Sequence, residues 1–298
     1  MPSKELIYLQ YIKEFDCYGM PKSVAMEAKQ KGIITDIRLP EIVLSPNKDK
    51  PLLGFLFGQD TSADGTEYYT ISQSYLQALL NTGANLRFLD YENPVAQAES
   101  CHGIVLPGGN FDFPEEYFIK NENLGTGIGK RFLAYQAIIE KSYLMHKPML
   151  GICAGAQMLG AVLGNMKMYL HITEEVGVTV KHKPTAKGEI CMHELKIFDK
   201  TPILDIMHIK SNDKVEINSR HEQAMVLNAF QKGKPRVEME MYAVCLVDNI
   251  PEIWGNDKEN ILCVQGHPED LAAAGDKRMQ SLYNYVAERA RICQSKND

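Results

Sequence analysis

Gly151-Ile152-Cys153-Ala154-Gly155 constrains this chain more than any other stretch. It follows the apolar pair Met149-Leu150 and precedes Gln157-Met158-Leu159-Gly160-Ala161-Val162-Leu163, which reads as a helix. A strand must pass into a helix with almost no residues to spare. In so sharp a turn the positions two before and two after the central residue crowd the backbone, and glycine, lacking a Cβ, stands at both. This is the pattern of a nucleophile elbow, which lifts its central side chain above the end of a sheet. Cys153 is then expected at the positive end of a helix dipole, a setting that favours a thiolate.

A second element of this kind lies farther along. Ile261-Leu262-Cys263-Val264 reads as a buried strand and runs into Gln265-Gly266-His267-Pro268-Glu269. His267 stands just past the strand end. Glu269, two residues on, can accept a hydrogen bond from the imidazole and fix its tautomer. Cysteine, histidine and carboxylate then supply a nucleophile, a base and an orienting group.

The rest of the chain repeats a strand-helix rhythm from Pro51 onward. Leu52 to Phe57 reads as a strand, and Ile71 to Leu80 as a helix stopped at Thr82-Gly83. Strands are expected at Asn85 to Leu89 and Gly103 to Leu106, the latter ending in Pro107-Gly108-Gly109. Ile128, Phe132, Tyr135, Ile139 and Tyr143 fall at helical steps, and Pro148 ends that helix before the elbow strand. β-rich segments follow at Glu189 to Phe198, Lys214 to Asn218 and Glu238 to Val247, and Asp276 to Cys293 reads as a last amphipathic helix. The alternation predicts an α/β fold, a mostly parallel sheet flanked by helices with added β segments.

The first fifty residues differ. Leu6 to Phe15 reads as a short helix with Ile7, Tyr11 and Phe15 on one face, and Leu39 to Pro51 as a polar, proline-containing linker. Residues 1–50 are thus expected to be an extension too short for its own core, dispensable for the chemistry, with the catalytic domain over 51–298.

At 298 residues, 45% hydrophobic and 23% charged, the chain has an ordinary globular composition. Its net charge of -6 argues against nucleic acid and anionic membranes as partners. No apolar run is long enough to span a bilayer, and Met1 to Glu5 lacks the apolar core of a signal peptide. The seven cysteines show no repeating spacing, and Cys101, Cys245 and Cys263 read as buried thiols, so a reducing, cytoplasmic setting is expected. His182, Cys191 and His193 follow no zinc spacing; His193 reads as structural, and neither a metal site nor a cofactor is expected.

Four segments resemble the class I glutamine amidotransferase superfamily, and within it the gamma-glutamyl-gamma-aminobutyrate hydrolase family, peptidase C26. They are Leu106 to Pro114 with Tyr117 (a PGG loop followed by Asp112 and Pro114), the elbow Gly151 to Gln157, Asn218-Ser219-Arg220-His221-Glu222-Gln223-Ala224, and Gln265 to Glu269. The resemblance covers about residues 51 to 293. It implies a flavodoxin-like sheet, Cys153 as nucleophile, His267 as base and Glu269 as its partner. It implies an oxyanion hole from the amides of Ala154 and the Gly108-Gly109 turn, with Gln157, His221 and Gln223 as candidate substrate contacts. The activity implied is cleavage of a small γ-glutamyl amide through a γ-glutamyl thioester. Two other readings stay open: a glutamine amidotransferase subunit feeding ammonia to a separate synthase, and a catalytically silent binding protein. A homodimer also stays open. The chain departs from the family pattern at Ala154 (for Arg or Leu), at Gly164-Asn165-Met166 and at Gly266, which replaces a tryptophan and is expected to widen the pocket.

Overall fold

A computed structural model describes residues 7–30, 37–38, 49–91, 93–109, 113–120, 129–186, 189–231 and 233–297. Its centre is a nine-stranded sheet. Five neighbouring strands are parallel, in the spatial order Asn85–Leu89, Leu52–Leu56, Gly103–Leu106, Met149–Ile152, Ile261–Val264. Numbered along the chain this is the 2-1-3-4-5 order of flavodoxin-like sheets, in which ligands bind beyond the carboxyl ends of the strands. Four antiparallel strands extend the sheet past Ile261–Val264: Pro251–Asn256, Glu240–Cys245, Cys191–Ile197 and Glu216–Ser219.

Alternation within each strand sorts side chains into two cores. Leu53, Phe55, Val105, Leu150, Ile152, Leu262 and Val264 face one layer, with Leu76 and Leu79 of helix Gln73–Asn81 and Met279, Leu282, Tyr283 and Val286 of helix Lys277–Asn297. Leu56, Ile104, Leu106, Met149, Ile261 and Cys263 face the other, with Phe132, Tyr135, Ile138 and Ile139 of helix Lys130–Leu144 and Met158 and Leu159 of helix Ala154–Val162. Both faces are covered, which is why these strands read as unbroken apolar runs. Cys101, Cys245 and Cys263 are buried free thiols, as their settings predict. No helix among the described residues is long and apolar enough to cross a membrane.

The amino-terminal segment corrects the expected helix. Gln10–Ile12 and Cys17–Pro21 are antiparallel strands joined by a turn in which Asp16 has φ 48°. They belong to a four-stranded sheet with Gly58–Thr61 and Glu67–Ser72. Tyr18 pairs with Ile71 and Met20 with Tyr69. Leu9 and Met20 enter the first core. A helical spacing of three side chains loses to an open sheet edge, because the edge supplies both backbone partners and a core to cover. Of the helix expected around Ile128 to Tyr143, Ile128 lies outside the described residues, as do Asn110, Phe111 and Asp112 of the PGG segment.

Candidate active site

The elbow takes the conformation its glycines allow. Cys153 has φ 51° and ψ -114°, a strained setting for a residue with a side chain. Its amide donates to the Val264 carbonyl at 2.7 Å, tying the turn to the neighbouring strand. A Cβ on Gly151 would lie 2.7 Å from the backbone of Gly155 and Ala156, and one on Gly155 would lie 2.1 Å from the Leu106 carbonyl oxygen. Only without those carbons can the helix begin directly against strand Gly103–Leu106. Ala154 is the first residue of that helix, so its amide is among those with no acceptor one turn back.

The structure brings the three expected groups together over the carboxyl ends of the strands. His267 Nδ1 lies 2.6 Å from Glu269 Oε1, and both side chains are buried. Helix Pro268–Ala273 starts at His267, and its first turn carries Glu269 back beneath the ring. The other side of His267 faces Cys153. Burial alone would lower the imidazole pKa. The Glu269 carboxylate and hydrogen-bonded Cys153 outweigh it and raise the value to about 10, so the ring is held protonated beside the sulfur. A Cβ placed on Gly108 would lie 3.0 Å from Cys153 Cβ and 3.3 Å from His267 Cε1, which sets the PGG turn directly against this pair.

The turn is braced from two sides. The Gly108 amide donates to the Tyr75 hydroxyl at 3.1 Å, and Arg131 Nη2 donates to the Gly108 carbonyl at 2.7 Å. Tyr135 donates to the Pro107 carbonyl at 2.9 Å. Tyr75 is delivered by the N-cap of its helix, where Ser72 Oγ accepts from the Tyr75 amide at 3.3 Å. Gly109, at φ 140°, packs on the Arg131 guanidinium. Of the expected oxyanion amides, those of Gly108 and Ala154 flank Cys153, and the Gly108 amide is already engaged by Tyr75.

A cavity of about 180 Å³ opens at Cys153, lined by Gly109, Ala154, Gln157, His221, Gln223 and three charged residues, Lys183, Arg220 and Glu222. Gln157, His221 and Gln223 are therefore at the site, with Gln157 Nε2, His221 Nδ1 and the backbone carbonyl of Gln223 engaged within the protein. Gln157 Nε2 donates to the Gln223 carbonyl at 2.9 Å and to Gln265 Oε1 at 3.1 Å, and His221 Nδ1 lies 3.0 Å from the Gln223 carbonyl. Glu222 is, with His221 and Gln223, a sequence candidate for meeting the charges of a γ-glutamyl group; Arg220 and Lys183 beside it are what motif reading missed. Arg220 Nη2 reaches Glu269 Oε1 at 3.1 Å and Asp270 Oδ2 at 3.0 Å, while Asn218 Nδ2 holds the same Asp270 oxygen at 2.9 Å. Lys183 hydrogen-bonds Glu222 and holds its carboxyl below the usual range; partial burial opposes this and His171, at 2.9 Å, adds to it. A second cavity, about 540 Å³, shares Gly109 with the first and is lined by Lys22, Asp60, Tyr91, Lys130 and Arg131.

Gly266 corrects one expectation. A Cβ there would lie 2.6 Å from Ile217 and 2.8 Å from the Asn218 carbonyl oxygen. The side chain of Ile217 fills the space beside the histidine, so the glycine does not widen the pocket.

Residues 56–269 match the family described as Peptidase C26. The chain is 24% identical over 231 residues to the imidazole glycerol phosphate synthase subunit HisH of Gloeothece citriformis, covering 73% of this chain and 92% of that one. It is 28% identical over 199 residues to protein NtpR of Enterococcus hirae, covering 65% of this chain and 77% of the relative. The glutaminase domain of Trypanosoma brucei CTPS superposes with a TM-score of 0.51 at 15% identity, over 80% of this chain and 93% of the other, a likeness of fold. Elbow, PGG turn and His-Pro-Glu helix start thus meet on a 2-1-3-4-5 sheet in a chain whose family match spans most of its length, and the protein belongs to the peptidase C26 family.

Proposed function

We propose that the protein hydrolyses the side-chain amide of a γ-glutamyl amine through a γ-glutamyl thioester. Family membership supports cleavage of a glutamine or glutamyl amide as the reaction type. The observation that carries the mechanism is the alignment of Cys153, His267 and Glu269 beside the Gly108 turn. Cys153 Sγ attacks the amide carbon, and the C–N bond breaks as the leaving amine takes a proton from the His267 imidazolium. Water then adds to the thioester carbon with neutral His267 taking its proton. Collapse expels the thiolate and releases glutamate. Glu269 holds the ring and offsets its charge. The carbonyl oxygen becomes negative in both halves, and the amides of Ala154 and Gly109 are the donors assigned to it here, that of Gly108 being held by Tyr75. Loss of one such donor typically costs about 3 kcal/mol.

The charged rim supports the substrate class. A γ-glutamyl group carries an α-carboxylate and an α-ammonium, and Arg220, Lys183 and Glu222 offer both signs at the cavity by Cys153. Lys22, Lys130 and Arg131 outnumber Asp60 around the second cavity, a lining that suits an amine with its own carboxylate, such as γ-aminobutyrate. A second reading is favoured by the likeness to a synthase subunit, HisH: a glutaminase that supplies ammonia to a separate enzyme.

The test is glutamate release by the purified protein, without ATP, from γ-glutamyl-γ-aminobutyrate and separately from glutamine. Rapid release from the first and little from the second is expected. Glutamine cleavage that needs an added synthase would favour the second reading. No turnover of either compound, with an unreactive Cys153, would leave a binding role.

A further inference from the structure

Beneath the cavity by Cys153 lies a buried group of side chains that the chemistry above does not use. His182, His221 and Glu252 converge there, each side chain no more than 1% exposed. His182 Nδ1 lies 3.2 Å from His221 Nε2, and Glu252 Oε1 lies 3.5 Å from each. All three are distant from one another in sequence, and Glu252 sits in the buried strand Pro251–Asn256.

The outer partners fix the protons. His182 Nε2 is 2.9 Å from Asp248 Oδ2, so it must carry hydrogen to bond a carboxylate. His221 Nδ1 is 3.0 Å from the Gln223 carbonyl, so it too must carry hydrogen. In neutral rings the inward nitrogens are then both lone pairs. They face each other and a carboxylate oxygen, three electron-rich atoms with nothing between them. His193 Nε2 makes an ion-pair contact with Glu252 Oε1 at 2.8 Å, off the hydrogen-bonding line, and neither oxygen of this fully buried carboxylate has a hydrogen bond of good geometry. The inward lone pairs of His182 and His221 still face each other with no hydrogen between them, a condition that buried polar groups do not keep without a positive charge to share.

We propose that His182, His221 and Glu252 bind a divalent transition-metal ion of the zinc class. Donors around a tetrahedral ion at zinc's bond lengths stand about 3.3–3.4 Å apart. The three separations here, 3.2, 3.5 and 3.5 Å, bracket that value. Asp248 and the Gln223 carbonyl occupy the places that orient metal-bound imidazoles, one carboxylate and one backbone oxygen. His193 lies beside Glu252 as its outer neighbour. A second donor triple, His182, Cys245 and Asp248, uses the far side of the same ring, but an ion there would not bond Glu252. The ion has a structural role: it fixes His221, which holds the Gln223 carbonyl, which in turn holds Gln157 in the cavity wall beside Cys153. The spacing of the three ligands in sequence matches no zinc motif, which is why the chain by itself argued for no metal.

The experiment is zinc titration of the full chain after dialysis against chelator, by calorimetry, with Cys153→Ala as background so that the elbow thiol cannot serve as ligand. One tight zinc per chain is expected, along with the d–d spectrum of tetrahedral cobalt when Co²⁺ is used. Glu252→Gln should abolish tight binding, and Asp248→Asn should weaken it about 10–100-fold. If Glu252→Gln does not fold, Asp248→Asn alone decides. Zinc bound as tightly by Asp248→Asn as by its parent would overturn the site. So would the absence of tight zinc binding in the parent.

Discussion

At the scale of single residues, the elbow and its histidine should respond unequally to substitution. Cys153→Ala or Cys153→Ser is expected to abolish amide hydrolysis. His267→Ala should be nearly as damaging, and Glu269→Gln milder, since the carboxylate orients and stabilises a ring that does the proton transfer. Brief iodoacetamide treatment followed by peptide mapping should find Cys153 labelled first. Among the seven thiols only Cys293 is more than slightly exposed, so preferential labelling of Cys293 over Cys153 would remove Cys153 from its role. Gly266 makes a separate point. Gly266→Ala drives a methyl group into Ile217 and the Asn218 carbonyl and is expected to destabilise by about 1–3 kcal/mol in urea unfolding. Ile217→Ala in the same chain should recover part of that loss. Equal stability of Gly266→Ala and the parent would mean that the Ile217 side chain can leave. The presence of Gly266 was legible in the sequence, and its consequence was not, because the residue that fills the space comes from another strand.

At the scale of elements, the parallel strands and their helices were largely readable. Ile261–Val264 ends where its apolar run ends, and helix Lys277–Asn297 buries the stripe of Met279, Leu282, Tyr283 and Val286 that its spacing marks. These elements are buried on defined faces, so the pattern of apolar residues records the fold. Pro251–Asn256 and Cys17–Pro21 escaped because their residues do not look like strands: proline and glycine stand in both, and a glutamate in the first. Pairing with a neighbour, not propensity, makes them strands. The same reasoning changes what is expected of the amino-terminal segment. A chain starting at Lys50 would leave Glu67–Ser72 without one of its two partner strands and uncover Tyr69 and Ile71, so it should be poorly soluble. Met20→Ala in the full chain is expected to cost about 2–5 kcal/mol, measured by urea unfolding, as for other buried methionines. A cost near zero would show that residues 7–30 only rest on the main body.

At the scale of the whole molecule, the buried His267–Glu269 pair should shape stability as a function of pH. The folded state raises the imidazole pKa to about 10, from about 6.5 in an open chain, against the opposing effect of burial and through Glu269 and Cys153. A raised pKa contributes stability that is fully present below about pH 6.5 and is lost as the pH climbs through about 10. Urea midpoints of the parent should therefore fall across that window relative to those of His267→Gln. A constant difference between the two at every pH would show that the ring titrates as it does in water. By itself the sequence determined the strand-turn-helix at Cys153, the strand leading to His267 and the α/β rhythm between them. Each of these follows from residues adjacent in the chain, through steric exclusion at glycine or the periodicity of apolar side chains. Only the tertiary structure decided the charged rim of Arg220, Lys183 and Glu222, the bracing of Gly108 by Tyr75 and Arg131, and the meeting of His182 and His221 with Glu252. Those groups come from separate elements, and what a polar side chain does once buried depends on which partners the fold brings to it, a matter no local pattern encodes.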